Sequence, residues 1–254
     1  MLLPTPKRIH YCGFYGLRFK CRMLYRIKNY IYTGNHLHMC RIDIRNFELI
    51  KKIHERFYVY VVYSNNRYIC DIRNGNIGIY SLEKKLIISI PFGKYIQGIA
   101  IDDNNNILVT GPSNFHIYNL KGELIKLWDL ISNYHKNITR RNIAFNKNEI
   151  FMVDTSFNRI CVFSYEEKLI RFLGEYGKES GNFKTRRGVA IYRDVVFIAD
   201  SGNRRIQAFT YNGKFIFEYS HGNFINIANI LIMGNFMYVD DLSSSKITKL
   251  ILYD

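Results

Sequence analysis

The chain has 254 residues, 48% of them hydrophobic, with four Pro and with 36 Lys and Arg against 21 Asp and Glu, a formal net charge of +15. That much apolar material can build a sizeable core, and the lack of a Pro-, Ser- or Gly-rich linker favours one folded domain over residues 1–254. No apolar run reaches the ~20 residues of a membrane-spanning helix, residues 1–10 lack the core of a secretory signal, and the five Cys (Cys12, Cys21, Cys40, Cys70, Cys161) are odd in number without a C-x-x-C pair, so an intracellular, cytoplasmic protein with no membrane partner is expected.

In chain order, the first predicted strand is Arg8-Ile9-His10-Tyr11-Cys12. Beyond it, apolar runs end at Thr33-Gly34, Cys70-Asp71, Thr110-Gly111, Val153-Asp154, Ala199-Asp200 and Val239-Asp240, at intervals of about 37, 40, 43, 46 and 40 residues. Around the third run, strands are predicted at 98–101, 107–109 and 116–118, with a turn at Lys121-Gly122. Around the fourth they fall at 143–145, 150–154 and 158–163. The fifth unit is the fullest. It has an apolar run at 188–191, a second run ending at Asp200, a polar loop from Ser201 to Arg205, a strand at 206–209, an Asn212-Gly213 turn and a last strand at 214–219. The sixth has an apolar stretch from Ile230 to Asp240 and a strand at 246–253. Val, Ile, Tyr and Phe suit strands, and the Asn and Gly pairs suit the tight turns between them.

Six units of four short strands at a period near forty residues predict an all-β fold, a six-bladed β-propeller with four-stranded blades. The blades are expected at about 14–53, 54–90, 91–129, 130–174, 175–220 and 221–254. The sixth unit shows only three strands, and an open fourth position would leave an unpaired edge. Residues 1–13 are therefore expected to supply the missing outer strand of the last blade and close the ring.

Gly181-x-Phe183, Gly188-Val189-Ala190-Ile191, the run from Phe197 to Phe209 and Asn212-Gly213-Lys214 together resemble one NHL repeat, with Asn203-Arg204-Arg205 in place of the Asn-His-Leu triplet. The run from Asp154 to Ile160 is similar, and the other units match more loosely. The resemblance implies a six-bladed propeller. Relatives of that family include RNA-binding and protein-binding propellers and a metal-using amidating lyase, so it does not fix the function.

In such a blade the loop before the first strand and the loop between the second and third share one face, the top. Sorting charges by that rule places Arg56, Arg73, Lys94, Arg140, Arg141, Arg159, Arg186, Arg187, Arg204 and Arg205 on top, with Arg18, Lys20 and Lys246. Glu179 and Asp241 are among the few acids on top, and Asp102, Asp103, Glu123, Glu166, Glu167 and Asp194 fall below, mixed with Lys. Arg binds phosphate in a bidentate fashion and stacks on bases, and Tyr95, Phe115, Phe157 and Phe183 fall in top loops as candidate base platforms. The pairs Arg140-Arg141 and Arg186-Arg187 sit just before inner strands. Arg159, Asn158, Asn203 and Arg204 could instead tie blades together, and Asp154, Asp200 and Asp240 are expected to cap loops by accepting backbone N–H bonds.

The leading expectation is a monomeric, non-enzymatic platform that binds single-stranded RNA through Arg140, Arg141, Arg186, Arg187, Arg204, Arg205, Arg159, Arg56, Arg73, Lys94, Tyr95 and Phe183. An acidic protein, or a place in a larger particle, is the alternative. A metal-dependent lyase or hydrolase is the third reading. No catalytic residue, cofactor or metal is assigned: His36-x-His38 lacks a third ligand, and an Arg-rich rim would repel a cation.

Overall fold

The computed structural model describes residues 8–16, 23–27, 30–34, 39–43, 45, 48–53, 61–64, 67–72, 76–81, 85–92, 96–111, 114–129, 140–244 and 246–253; at 8–41, 48–72, 140–141 and 186–187 the description is of the backbone. The chain opens with Arg8–Gly16 (β1). A first meander follows: Met23–Ile27 (β2), Tyr30–Gly34 (β3), Met39–Asp43 (β4) and Glu48–Ile53 (β5). The second is Val61–Ser64 (β6), Arg67–Ile72 (β7), Asn76–Tyr80 (β8) and Leu86–Pro91 (β9). The third is Gly98–Ile101 (β10), Ile107–Thr110 (β11), Asn114–Tyr118 (β12) and Leu124–Asp129 (β13). The fourth is Arg140–Asn146 (β14), Glu149–Asp154 (β15), Arg159–Ser164 (β16) and Leu169–Leu173 (β17). The fifth is Arg186–Tyr192 (β18), Val195–Asp200 (β19), Arg205–Thr210 (β20) and Phe215–Ser220 (β21), with a 3-10 turn at Ser201–Asn203. Last come Ile227–Met233 (β22), Phe236–Asp241 (β23) and Lys246–Tyr253 (β24).

These strands pair into four-stranded antiparallel sheets, each a simple meander except the last, whose order is β1-β24-β23-β22. There β1 lies antiparallel to β24 from Arg8 opposite Tyr253 to Gly16 opposite Lys246. The pairing runs four residues past Cys12, where the expected strand stopped. The structure is all-β and of the β-propeller kind. No helix among the described residues is long and apolar enough to cross a membrane.

Side-chain alternation explains how the sheets stack. Strand residues point to opposite faces in turn, and both faces of β15 and β19 are buried. From β15, Ile150 and Met152 join Leu108, Phe115, Ile117 and Trp128 of the preceding sheet. Phe151 and Val153 point the other way and join Val189, Val196, Ile198 and Phe209 of the next. In β19, Val195, Phe197 and Ala199 pack in turn on Ile230, Met237 and Val239. Each such side chain contributes roughly 1.5–3 kcal/mol by leaving water. Sheets adjacent in sequence are thus adjacent in space.

Backbone detail repeats as well. The third strand breaks register just before its closing turn at Arg41/Ile42, Ile79/Tyr80, Ile117/Tyr118, Val162/Phe163 and Ala208/Phe209. At the lower end, Tyr165 donates to Asp102 Oδ2 at 2.6 Å and Tyr211 to the Asn146 carbonyl at 2.6 Å, each reaching back one sheet. Burial, with the neighbouring carboxylates, holds both phenols protonated well above their ordinary range.

Two boundaries differ from expectation. Strand β20 begins at Arg205, which the sequence placed in the loop. In the sixth unit the equivalent of Asp154 and Asp200 is Asp241, since Arg140, Arg186 and Ile227 face Asp154, Asp200 and Asp241 respectively.

Candidate nucleic-acid interface

The upper end of the inner strands is built alike in three consecutive sheets. Pairing skips two residues between Arg140 and Ile143, between Arg186 and Val189, and between Ile227 and Ile230. Each skip is a bulge that bends the strand where its partner ends. Arg141-Asn142, Arg187-Gly188 and Ala228-Asn229 occupy the bulges. The bulge of one sheet meets the inner strand of the one before. A Cβ on Gly188 would lie 2.7 Å from the Ala228 carbonyl oxygen and 3.0 Å from the Asn229 Cα. A Cβ on Gly98 would lie 3.0 Å from an Ile143 methyl and 3.4 Å from the Asn142 Cα. Gly at one sheet and Asn at the next lets the inner strands approach. Both Arg pairs are thereby placed, by their backbone, at the same end of neighbouring inner strands.

The loops around them are held by buried carboxylates. Asp200 Oδ1 accepts the Lys184 N–H at 3.0 Å. Its Oδ2 accepts Asn203 Nδ2 at 2.8 Å, Arg205 Nε at 3.0 Å and Gln207 Nε2 at 3.1 Å. Asp154 Oδ1 accepts the Ser156 N–H at 3.2 Å. Asp241 accepts four backbone N–H groups, from Ile225, Asn226, Ser243 and Ser244. Asp240 instead takes the N–H and Nδ2 of Asn229, at 2.5 and 2.8 Å. Asp154 and Asp200 hold loops as expected; in the sixth unit Asp241 does so, while Asp240, expected in that role, holds Asn229 in the β22 bulge.

The expected contact residues divide. Arg205 is 6% exposed. It donates to Asp200, to Glu218 Oε2 at 2.8 Å, and to the Glu179 and Asn182 carbonyls at 2.8 and 2.9 Å. It is a tie between loop and sheet, and its guanidinium is spent. Phe183 is fully buried against Phe209, and Phe115 against Trp128, so neither ring is available to a base. Arg159 is partly withdrawn: its Nε reaches Asp154 at 3.3 Å and its plane lies on two Phe rings. Arg204 is exposed, in the left-handed region at φ 55°. Lys184 and Thr185 beside it are exposed too. Arg56, Arg73, Lys94 and Tyr95 lie outside the described residues, as do His36 and His38.

Arginine is also less segregated than the loop count suggested. Arg193 sits in the lower turn between β18 and β19, over Tyr192. Arg171, on β17, holds Glu149 through two bonds of 3.0 and 2.6 Å and also donates to the Tyr211 carbonyl at 2.6 Å. Lys147 pairs with Asp194 at the same lower end. Lys121, Lys168 and Lys214 are exposed at that end, and Lys184 and Arg204 at the upper end. Among the described residues, no three His, Cys, Asp or Glu side chains gather as a metal site.

A family description of the β-propeller repeat matches residues 85–119, from the last strand of one sheet through the third of the next. No curated protein matches the chain. Among solved structures it is similar to a streptogramin B lyase, at 13% identity over 96% of this chain and 98% of that one, TM-score 0.64. It is also similar to selenomethionine-substituted virginiamycin B lyase from Staphylococcus aureus, at 11% identity over 97% and 100%, TM-score 0.68. Raptor from Chaetomium thermophilum aligns at 10% identity over 98% of this chain and 30% of that one, TM-score 0.69. At such identities the likeness is one of fold.

Proposed function

We propose that the chain is a six-bladed ring of NHL type, sealed by β1, and that it is a platform for single-stranded RNA at the end where its inner strands begin. The observation that carries this reading is the pair of repeated bulges that set Arg140-Arg141 and Arg186-Arg187 side by side on adjoining strands. Exposed Lys184 and Arg204 extend the cationic surface from there. The formal charge of +15 gives it a long-range attraction for polyanions. Phosphates bound there release condensed counterions, so affinity falls steeply with salt.

The test is retention of homopolymer RNA by the purified chain across a salt series. Replacing Arg186 and Arg187 together by Ala is expected to weaken binding by about 1–3 kcal/mol, the usual contribution of charge-assisted hydrogen bonds. Absence of salt-sensitive retention by the wild type overturns the reading. An acidic protein would use the same cations, and a partner captured equally well after nuclease treatment would identify that case.

A further inference from the structure

One cluster near the upper end joins Phe157 and Arg159, both expected as RNA contacts, to Phe172, which no expectation above named. Phe157 and Phe172 are 47% and 45% exposed, whereas Phe115, Phe151, Phe163, Phe183, Phe197 and Phe209 are buried in the core. Between them stands Arg159. Its guanidinium carbon lies 4.8 Å from the Phe157 ring centre and 3.8 Å from that of Phe172. The three come from two places: Phe157 and Arg159 from the loop between β15 and β16 and the first residue of β16, Phe172 from β17, opposite Cys161. Asn158, in the left-handed region at φ 52°, turns the chain sharply between Phe157 and Arg159. Asp154 fixes the base of that loop, accepting from Phe157 N–H at 3.4 Å and from Arg159 Nε at 3.3 Å. Tyr176, 66% exposed, follows in the loop after β17.

We propose that Phe157, Arg159 and Phe172 form a stacking site for one unpaired nucleobase. The chemistry selects that class of ligand. An aliphatic side chain gains nothing from the guanidinium, and an ammonium group is repelled by it. A base offers a π face to the exposed rings and carbonyl or ring-nitrogen acceptors to the Arg159 terminal nitrogens; among the described residues the one acceptor those side-chain donors meet is Asp154, through Nε. The loop is pre-shaped, because Asp154 holds it in place without a ligand, so little order is lost on binding. The site lies on the upper end of the sheet that also carries Arg140-Arg141. It rests on the platform reading and extends it from phosphate binding to base contact.

The experiment compares an oligouridine with an abasic oligomer of the same length and phosphate count, on the full chain. Wild type is expected to prefer the base-bearing oligomer. Phe157→Ala is expected to weaken oligouridine about five- to a hundredfold, the usual range for one stacked base, and to leave abasic binding unchanged. Phe172→Leu, which keeps bulk on the outer strand, tests the second ring if Phe172→Ala fails to fold. Equal binding of the two oligomers by wild type, with no loss in Phe157→Ala, overturns the stacking site and leaves the platform standing. Failure of wild type to bind either oligomer overturns both.

Discussion

Arg204 and Arg205 are neighbours in sequence with opposite environments, and the difference follows from register. Arg205 is the first residue of β20, opposite Asp200, so its side chain enters the interior and meets that carboxylate. Arg204 is the residue before, in a left-handed turn that leaves it exposed. Removing one partner of a buried ion pair strands the other, so Arg205→Ala is expected to cost about 3–5 kcal/mol in urea unfolding. Arg204→Asn relieves an unfavourable φ and removes only an exposed charge. It is expected to stabilise by on the order of 0.5–1 kcal/mol while weakening RNA retention. Nothing in the doublet itself distinguishes the two residues. The signal was available in Glu218, which faces Gln207 across β20 and β21 and lies two positions along the strand from Arg205, on the same face. Phe183 misled for a related reason: it lies in a loop, but a loop that folds under the sheet edge, with Asn182 and Gly181 tied to Gln207.

At the scale of the strand, period and turn chemistry were readable because a repeating unit must bury both faces. The second strands at Val153-Asp154 and Ala199-Asp200 end where expected. The slip to Asp240 arose where two carboxylates adjoin, since either completes the pattern and only the pairing with β22 chooses Asp241. The bulges at Arg141-Asn142 and Arg187-Gly188 were not readable, because an inserted residue leaves the apolar count unchanged. They have a mechanical consequence. Gly188→Ala drives a methyl against backbone atoms of the next sheet, at 2.7–3.2 Å. Gly98→Ala meets the Thr110 hydroxyl at 2.9 Å and an Ile143 methyl, which are side chains and can shift. Overpacking costs of about 1–3 kcal/mol are expected for Gly188→Ala, and less for Gly98→Ala, by thermal unfolding. Equal costs would contradict the close backbone approach.

For the molecule as a whole, the two ends of the chain meet in one sheet. Residues contributing to β1 form no meander of their own, and their pairing with β24 covers what would be a long free edge. Deleting residues 1–16 is expected to abolish the cooperative unfolding transition or drive aggregation; a truncated chain that melts like the full one would contradict closure by β1. At the lower end Lys147 pairs with Asp194, whereas in the upper loops Asp200 and Asp241 accept backbone N–H groups and Lys184 and Arg204 are exposed, with Glu175 and Glu179 exposed in the loop after β17. The measurement that bears most directly on a one-ended RNA platform is backbone hydrogen–deuterium exchange of the full chain with and without oligouridine. Protection is expected at 140–142, 156–159, 184–188 and 202–204, with the lower turns at 102–106, 147–148 and 193–194 unchanged. Protection confined to those lower turns, or spread evenly around the sheets, would contradict a one-ended RNA platform.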